Sequence, residues 1–273
     1  MQPLSAKPTP ASWNEADLTA SWLGHSTVLI NLLGINILTD PVLFPRIGIR
    51  LPGFTVGPKR LTAPALRTRD LPRIDLVLLS HAHFDHLDTR TLHRMRGRPH
   101  CVTAPHTSDL LRLMRFRSTT ELRWGEETEV RVKAGAVRVR AFPVRHWGAR
   151  LRRDAHRGYN GYVIERDGCR LIFSGDTAFT DSFATLRRRG GYDLAIMAIG
   201  AYDPWIGSHC TPEQAVAMAD MAGAEHVLPV HHQTFRLSAE PFREPIERLE
   251  AALQRDPARI ALREIGETFR LAR

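Results

Sequence analysis

The sequence predicts a mixed α/β protein built in layers, not a doubly wound parallel sheet. Three observations predict it. Apolar runs of strand length are joined by tight Gly-containing turns at three places, which makes antiparallel hairpins. Other apolar runs are short, nearly continuous and bounded by polar residues, as expected of buried strands. Helical patterns are interspersed among the strands without a regular strand–helix alternation.

In chain order, residues 1–17 contain three prolines and little apolar periodicity, and read as a loose, flexible arm ahead of a single domain over 18–273. Val28–Leu32 and Ile35–Leu38 flank Gly34 and form the first hairpin. Pro41 to Pro72 is rich in proline and glycine and too long for an ordinary connection, so it reads as a functional loop. Ile74–Leu79 is a buried strand that ends at a cluster of histidines and aspartates, after which Asp88 is placed to cap a helix near 89–95. Glu127–Lys133 and Ala136–Phe142 make a second hairpin, and Gly161–Arg166 and Cys169–Phe173 a third across Asp167-Gly168. Helical patterns cover about 181–189, 212–222 and 240–254, and Leu194–Ile199 and His226–Val230 are further buried strands.

Composition narrows the function classes. The 273-residue chain carries 38 Lys and Arg against 29 Asp and Glu, a net +9. That balance suits anionic substrates, nucleic acid or an anionic membrane surface. The charge is spread along the sequence, which argues against a dedicated nucleic-acid surface. The three cysteines are odd in number and widely spaced, so they are not a disulfide framework; Cys101 and Cys169 read as buried thiols. No signal-peptide-like run and no stretch of about 18 apolar residues occurs, so the expected location is cytoplasmic, with at most peripheral membrane contact. The oligomeric state stays open, a homo-oligomer included.

The chemistry lies in His81-Ala82-His83-Phe84-Asp85-His86. Residues two apart on extended backbone point to one side, so His81 and His83 can reach the same metal ion. Asp85 and His86 follow as the chain leaves the strand and can turn toward a second ion. Imidazole and carboxylate suit zinc, and also manganese or iron. Two ions need further ligands, and His146, Asp176 and His231 each stand just after an apolar strand, where rigid elements can hold side chains to a common point. His232 is a rival to His231, and His25 and His106 stay open. Asp40 and Asp88 are candidates to orient a ligand imidazole, Asp88 equally a cap. His209 is a candidate for substrate contact or leaving-group protonation. Lys59 and Arg60 are candidates to meet an anionic group.

These residues resemble the metallo-β-lactamase superfamily, whose signature is His-x-His-x-Asp-His. The resemblance runs from about Trp22 to Phe269 and includes Trp22-Leu23-Gly24-His25-Ser26-Thr27, Leu38-Thr39-Asp40-Pro41, Ser174-Gly175-Asp176-Thr177 and Ile199-Gly200-Ala201-Tyr202. It looks most like the branch of N-acyl-phosphatidylethanolamine-hydrolysing phospholipase D and ascorbate-6-phosphate lactonase-like proteins. One departure is His231-His232-Gln233-Thr234-Phe235, where the phospholipase-type motif reads His-Trp-Gly-Thr-Phe. The resemblance implies a four-layer αββα sandwich with two zinc ions at one edge. It assigns His81, His83 and His146 to one ion, Asp85, His86 and His231 to the other, and Asp176 as the bridge.

The expected activity is metal-dependent hydrolysis of a phosphodiester by a hydroxide bridging the ions, with Asp85 and His209 in catalytic roles. An N-acyl-phosphatidylethanolamine-like phospholipid is the candidate substrate, and the partner is otherwise a small or lipid-derived anionic molecule. The alternatives are a lactonase acting on a small lactone, phosphorylated or not, and a nuclease or basic nucleic-acid-binding protein.

Overall fold

Apolar strands from the whole length of the chain assemble into two sheets laid face to face in the computed structural model, which describes residue 4 and residues 6–273. In chain order the strands are β1 (Leu18–Gly24), β2 (Thr27–Leu32), β3 (Ile35–Thr39), β4 (Ile49–Leu51), β5 (Phe54–Val56), β6 (Leu76–Leu79), β7 (His100–Thr103) and β8 (Ser118–Glu121). They continue as β9 (Glu127–Val132), β10 (Gly135–Phe142), β11 (Gly161–Arg166), β12 (Cys169–Phe173), β13 (Tyr192–Ala198), β14 (Ala224–Val230) and β15 (Thr268–Leu271). The helices are α1 (Thr89–Arg94), α2 (Pro212–Ala222) and α3 (Glu244–Ala252).

The first sheet has the order β15-β1-β2-β3-β6-β7-β8 and the second β14-β13-β12-β11-β10-β9; β4 and β5 form a separate ribbon. Side-chain alternation decides the layering. On β13, Leu194, Ile196 and Ala198 enter the core between the sheets, while Ala195, Met197 and Ile199 face the cluster built with α2 and α3. On the other side, Leu92 and Met95 of α1 and its C-cap join the core of the first sheet. The result is the metallo-β-lactamase fold, helix–sheet–sheet–helix, with a thin helical layer over the first sheet.

The predicted hairpins and buried strands are present, and α2 spans the predicted 212–222, opened by a Thr211/Gln214 capping box. Two helical predictions are shortened. The 181–189 pattern forms only a 3-10 segment, Asp181–Leu186, cut off ahead of Gly190 and Gly191, both with positive φ. The 240–254 pattern starts late, because α3 is set by Pro245 near its first turn. The described part of residues 1–17 lies against the body: Leu4 and Trp13 pack on the core, and a Cβ on Gly266 would meet Ala6 O at 2.0 Å.

Topology gathers one edge. β3 and β6 run parallel in the first sheet, and β12, β13 and β14 run parallel in the second. The segments that leave their C-terminal ends carry Asp40, His81–Asp88, Asp176, His209 and His231.

Candidate metal centre

Seven segments converge at this edge, and their close approach needs special backbone. Gly175 has φ +57, and a Cβ there would sit 2.7 Å from the Ser80 Cβ, so a glycine lets the end of β12 meet the end of β6. Three non-glycine residues at the site also hold positive φ: His25 at 52°, Asp40 at 31° and His231 at 65°. Such conformations are costly and persist only where the surroundings impose them.

Among the described residues four overlapping groups of metal-ligand type result: Asp40 with His81 and His86, Asp176 with His209 and His231, and two groups of four residues each. His81, His83, His146 and Asp176 offer ligand atoms all within 4.8 Å of one another, and so do His25, Asp85, His86 and His231. In the first group His81 Nε2 lies 2.8 Å and His146 Nε2 3.3 Å from His83 Nδ1. Asp176 Oδ2 stands between the groups. It is 3.9 and 3.8 Å from His81 Nε2 and His146 Nε2, and 3.0 and 3.1 Å from His86 Nε2 and His231 Nε2. Asp85 Oδ2 completes the second group, 3.6 Å from His86 Nε2 and 3.4 Å from His231 Nε2.

Hydrogen bonds behind the rings fix which nitrogen faces inward. His86 Nδ1 donates to Asp40 Oδ2 at 2.6 Å, and His146 Nδ1 donates to the Ser208 carbonyl at 2.8 Å. The Ser80 hydroxyl donates to the same Asp40 oxygen at 2.5 Å and so accepts from His81 Nδ1 at 2.9 Å. One buried carboxylate therefore orients two imidazoles and leaves both Nε2 lone pairs aimed at the centre.

Several polar atoms of the ligand groups lack a hydrogen-bond partner. His86 Nε2, His231 Nε2 and Asp176 Oδ1 are buried without a hydrogen-bond partner. A native interior rarely leaves such groups unpaired, and a bound ion is one standard reason. Converging nitrogen lone pairs repel one another unless a cation lies among them. The donor set therefore fits divalent cations, one in each group.

Electrostatics separates the two groups. Burial lowers His81 well below the usual histidine range, His83 to about 4 and His146 to about 3, so these rings are neutral and ready to ligate. In the second group burial also opposes charge, but the carboxylates outweigh it. Asp176, Asp85 and Asp40 raise His86 well above its ordinary value, and Asp176 and Asp85 raise His231 to about 9. Asp85 and Asp176 are held well below the carboxylate range, despite burial, by the facing histidines. With no cation present, protons on His86 and His231 supply the positive charge that the two carboxylates demand.

All seven predicted ligands are brought together, with His25 as an added neighbour, its Nε2 3.0 Å from Asp85 Oδ2. No spacing rule singles out His25, because its turn lies 60 residues before Asp85. His232 turns away and stacks on Trp22 at 4.4 Å. His209 lies over the centre, its ring 5.1 Å from those of both His146 and His231. Burial lowers it to about 4, so it is neutral at neutral pH and suits contact with substrate rather than proton donation.

Three candidates take other roles. Asp88 caps α1, accepting from Arg90 N and from the Thr91 hydroxyl, and its named partners are not ligand histidines. Arg60 is 1% exposed and donates to the Val42 and Phe44 carbonyls over the Phe235 ring, so it ties loops together instead of meeting a substrate. Lys59 is exposed and is not among the residues lining the cavity over the centre. Sequence reasoning missed Arg150, which donates to the Ala82 and Leu87 carbonyls and holds the 81–88 loop from outside.

A cavity of about 180 Å³ opens over the centre, walled by Trp147, Trp205, Leu237 and His209, with no Lys or Arg among the described residues of its lining. A larger one of about 610 Å³ adjoins it, sharing Ala201, His231 and Leu237, and adds Phe235, Arg236 and Phe242.

The chain is similar to known proteins. The model of the beta-lactamase superfamily domain matches residues 35–232. An uncharacterized protein of Mycobacterium tuberculosis is 34% identical over 269 residues, 94% of this chain and 70% of that one. The N-acyl-phosphatidylethanolamine-hydrolyzing phospholipase D 1 of Caenorhabditis elegans is 32% identical over 253 residues, 86% of this chain and 70% of that one. Among solved structures, a possible metal-dependent hydrolase from Veillonella parvula superposes with a TM-score of 0.73 at 17% identity, covering 94% of this chain and 100% of that one.

Proposed function

The chain belongs to the β-lactamase superfamily, and we propose that it is a dinuclear metal-dependent hydrolase that cleaves a phosphodiester, an N-acyl-phosphatidylethanolamine-like phospholipid being the leading candidate. The observation that carries this reading is the Asp176 oxygen shared between two four-residue ligand groups. His81, His83 and His146 would hold one ion, Asp85, His86 and His231 the other, and Asp176 both. The histidine and carboxylate donors favour zinc and accept manganese or iron.

Bound divalent cations supply Lewis acidity and water of lowered pKa. The protein's residues do the rest. Asp85 and Asp176 do not neutralise two dications, so the centre keeps a positive charge that suits an anionic phosphodiester. Asp40 holds His81 and His86 in their ligating tautomers. His209 offers a neutral ring to a phosphoryl or leaving-group oxygen, and Trp147, Trp205 and Leu237 limit water around the reacting group.

The adjoining mixed apolar cavity supports a substrate with a large substituent. The small volume directly over the centre favours a second reading, hydrolysis of an uncharged lactone. Purified protein should contain about two metal ions and hydrolyse bis-(p-nitrophenyl) phosphate, with Asp85→Ala inactive. Full activity of that variant would remove the site from the reaction, and turnover of a lactone panel but not of phosphodiesters would select the second reading.

A further inference from the structure

The β4–β5 ribbon is built inside out. Ile49 pairs with Val56 and Leu51 with Phe54, so the four side chains share one face of a two-stranded ribbon. That face is bare: Ile49 is 51% exposed, Leu51 40%, Phe54 60% and Val56 53%. The opposite face is the anchored one, where Arg90 Nη1 donates to the Thr55 hydroxyl at 2.9 Å. An isolated ribbon of this kind has no reason to show its apolar face to water, and contiguous exposed apolar patches mark interaction surfaces.

The ribbon is not a loose excursion. Ile47 N donates to Pro58 O at its root, and Gly48 and Gly57 pack so closely that a Cβ on either would meet backbone oxygen at 2.0–2.2 Å. It follows β3 and is tied by Arg90 to α1, whose cap Asp88 lies two residues past His86. It therefore rises from the same edge as the metal centre. Trp147, Leu151, Trp205 and Ile206, all on loops leaving that edge, are also more than a third exposed.

Charge says what covers the face. Residues 41–60, 89–98 and 110–117 together hold eleven Lys and Arg and no Asp or Glu; of these Arg60 is buried and Arg90 is paired with Asp88 Oδ1 at 3.1 Å. A cavity of about 570 Å³ beside the ribbon is lined by Arg50, Arg90 and Arg94 together with Phe44, Leu51, Phe54 and Leu113, and no carboxylate is among the described residues that border it. Leu113 beside it is 85% exposed. Apolar side chains at a tip, ringed by arginines, match the boundary between acyl chains and lipid phosphates. A second copy of this chain would bring the same cations to the same place and be repelled.

We propose that the 49–56 ribbon docks this protein on the surface of an anionic bilayer, its apolar face at the acyl boundary and the surrounding arginines on lipid phosphates. Docking would bring the metal-centre edge to the lipid surface, and it stands whichever ester the centre cleaves. The test is co-sedimentation of the full chain with vesicles of phosphatidylcholine alone and of phosphatidylcholine mixed with phosphatidylglycerol. The wild type should sediment with the mixed vesicles at low salt, weakly with phosphatidylcholine, and less as ionic strength rises. Leu51→Ser/Phe54→Ser should lower partitioning roughly tenfold or more, and Arg50→Glu/Arg94→Glu should lower it for the mixed vesicles. All four positions are exposed, so circular dichroism and the thermal midpoint of both variants should match the wild type. Absence of wild-type binding to mixed vesicles overturns the proposal. So does undiminished binding by a folded ribbon variant, or a dimer that the Ser variant dissolves while no vesicle is bound.

Discussion

Asp40 carries more of the site than any other single residue that does not itself face the centre. It is fully buried, accepts from His86 directly and from His81 through Ser80, and also accepts the Ser80 amide at 2.7 Å. Asp40→Ala should leave the fold standing but free both rings. The expected result is a loss of metal affinity and activity by about 10–100-fold, read by elemental analysis and phosphodiester hydrolysis. Unchanged metal content would mean that the rings are held by packing alone. His209→Ala should behave differently: metal content stays, and kcat/KM falls about 100-fold if the ring contacts the transition state. Loss of metal in that variant would make His209 a ligand instead. The seven ligand candidates were legible because ligand-type residues stood at successive strand ends. Of the orienting network only Asp40 was, since Ser80, the Ser208 carbonyl and His25 meet their partners across spans from one to 62 residues with no spacing signature.

Strand ends position the centre, and their approach distances are set by backbone. Gly175→Ala tests this at the junction of β12 and β6. The new methyl would combine positive φ with a 2.7 Å contact to Ser80, so stability should fall by about 2–4 kcal/mol, measured by denaturant unfolding. A neutral effect would show that the junction can open without cost. The hairpins and α2 could be read ahead because their signals are local: turn residues at Gly34, Asp167-Gly168 and Ala134-Gly135, and the Thr211 cap. β1 and β15 escaped because their pairing, Leu18 with Leu271 through Ser21 with Thr268, joins the two ends of the chain. The 41–72 stretch was flagged by its length and composition, but nothing local announced that it would fold as a ribbon with its apolar face outward.

Across the whole molecule, protons and metal compete for the second ligand group. In the metal-free protein His231 is raised to about 9, so its ion pairs stabilise the fold at low pH and are lost as pH rises through about 9. Metal must displace these protons, so its binding strengthens as pH rises. Both effects have the same sign. The gap in thermal midpoint between zinc-loaded and metal-free protein should widen from pH 6 to pH 9, and a constant gap would contradict the proton competition. The mixed α/β layering was legible from hairpins and buried strands, and the αββα arrangement only through the family resemblance that the His-x-His-x-Asp-His segment carries. The docking ribbon was not, because a net +9 says nothing about where cations and exposed apolar residues meet. In the proposed centre, strand ends from both sheets would hold two cations around Asp176. Anomalous diffraction at the zinc edge from crystals grown with zinc tests it most directly. Two peaks flanking the Asp176 carboxylate, one among His81, His83 and His146 and one among Asp85, His86 and His231, are predicted; a single peak, or peaks away from Asp176, would contradict it.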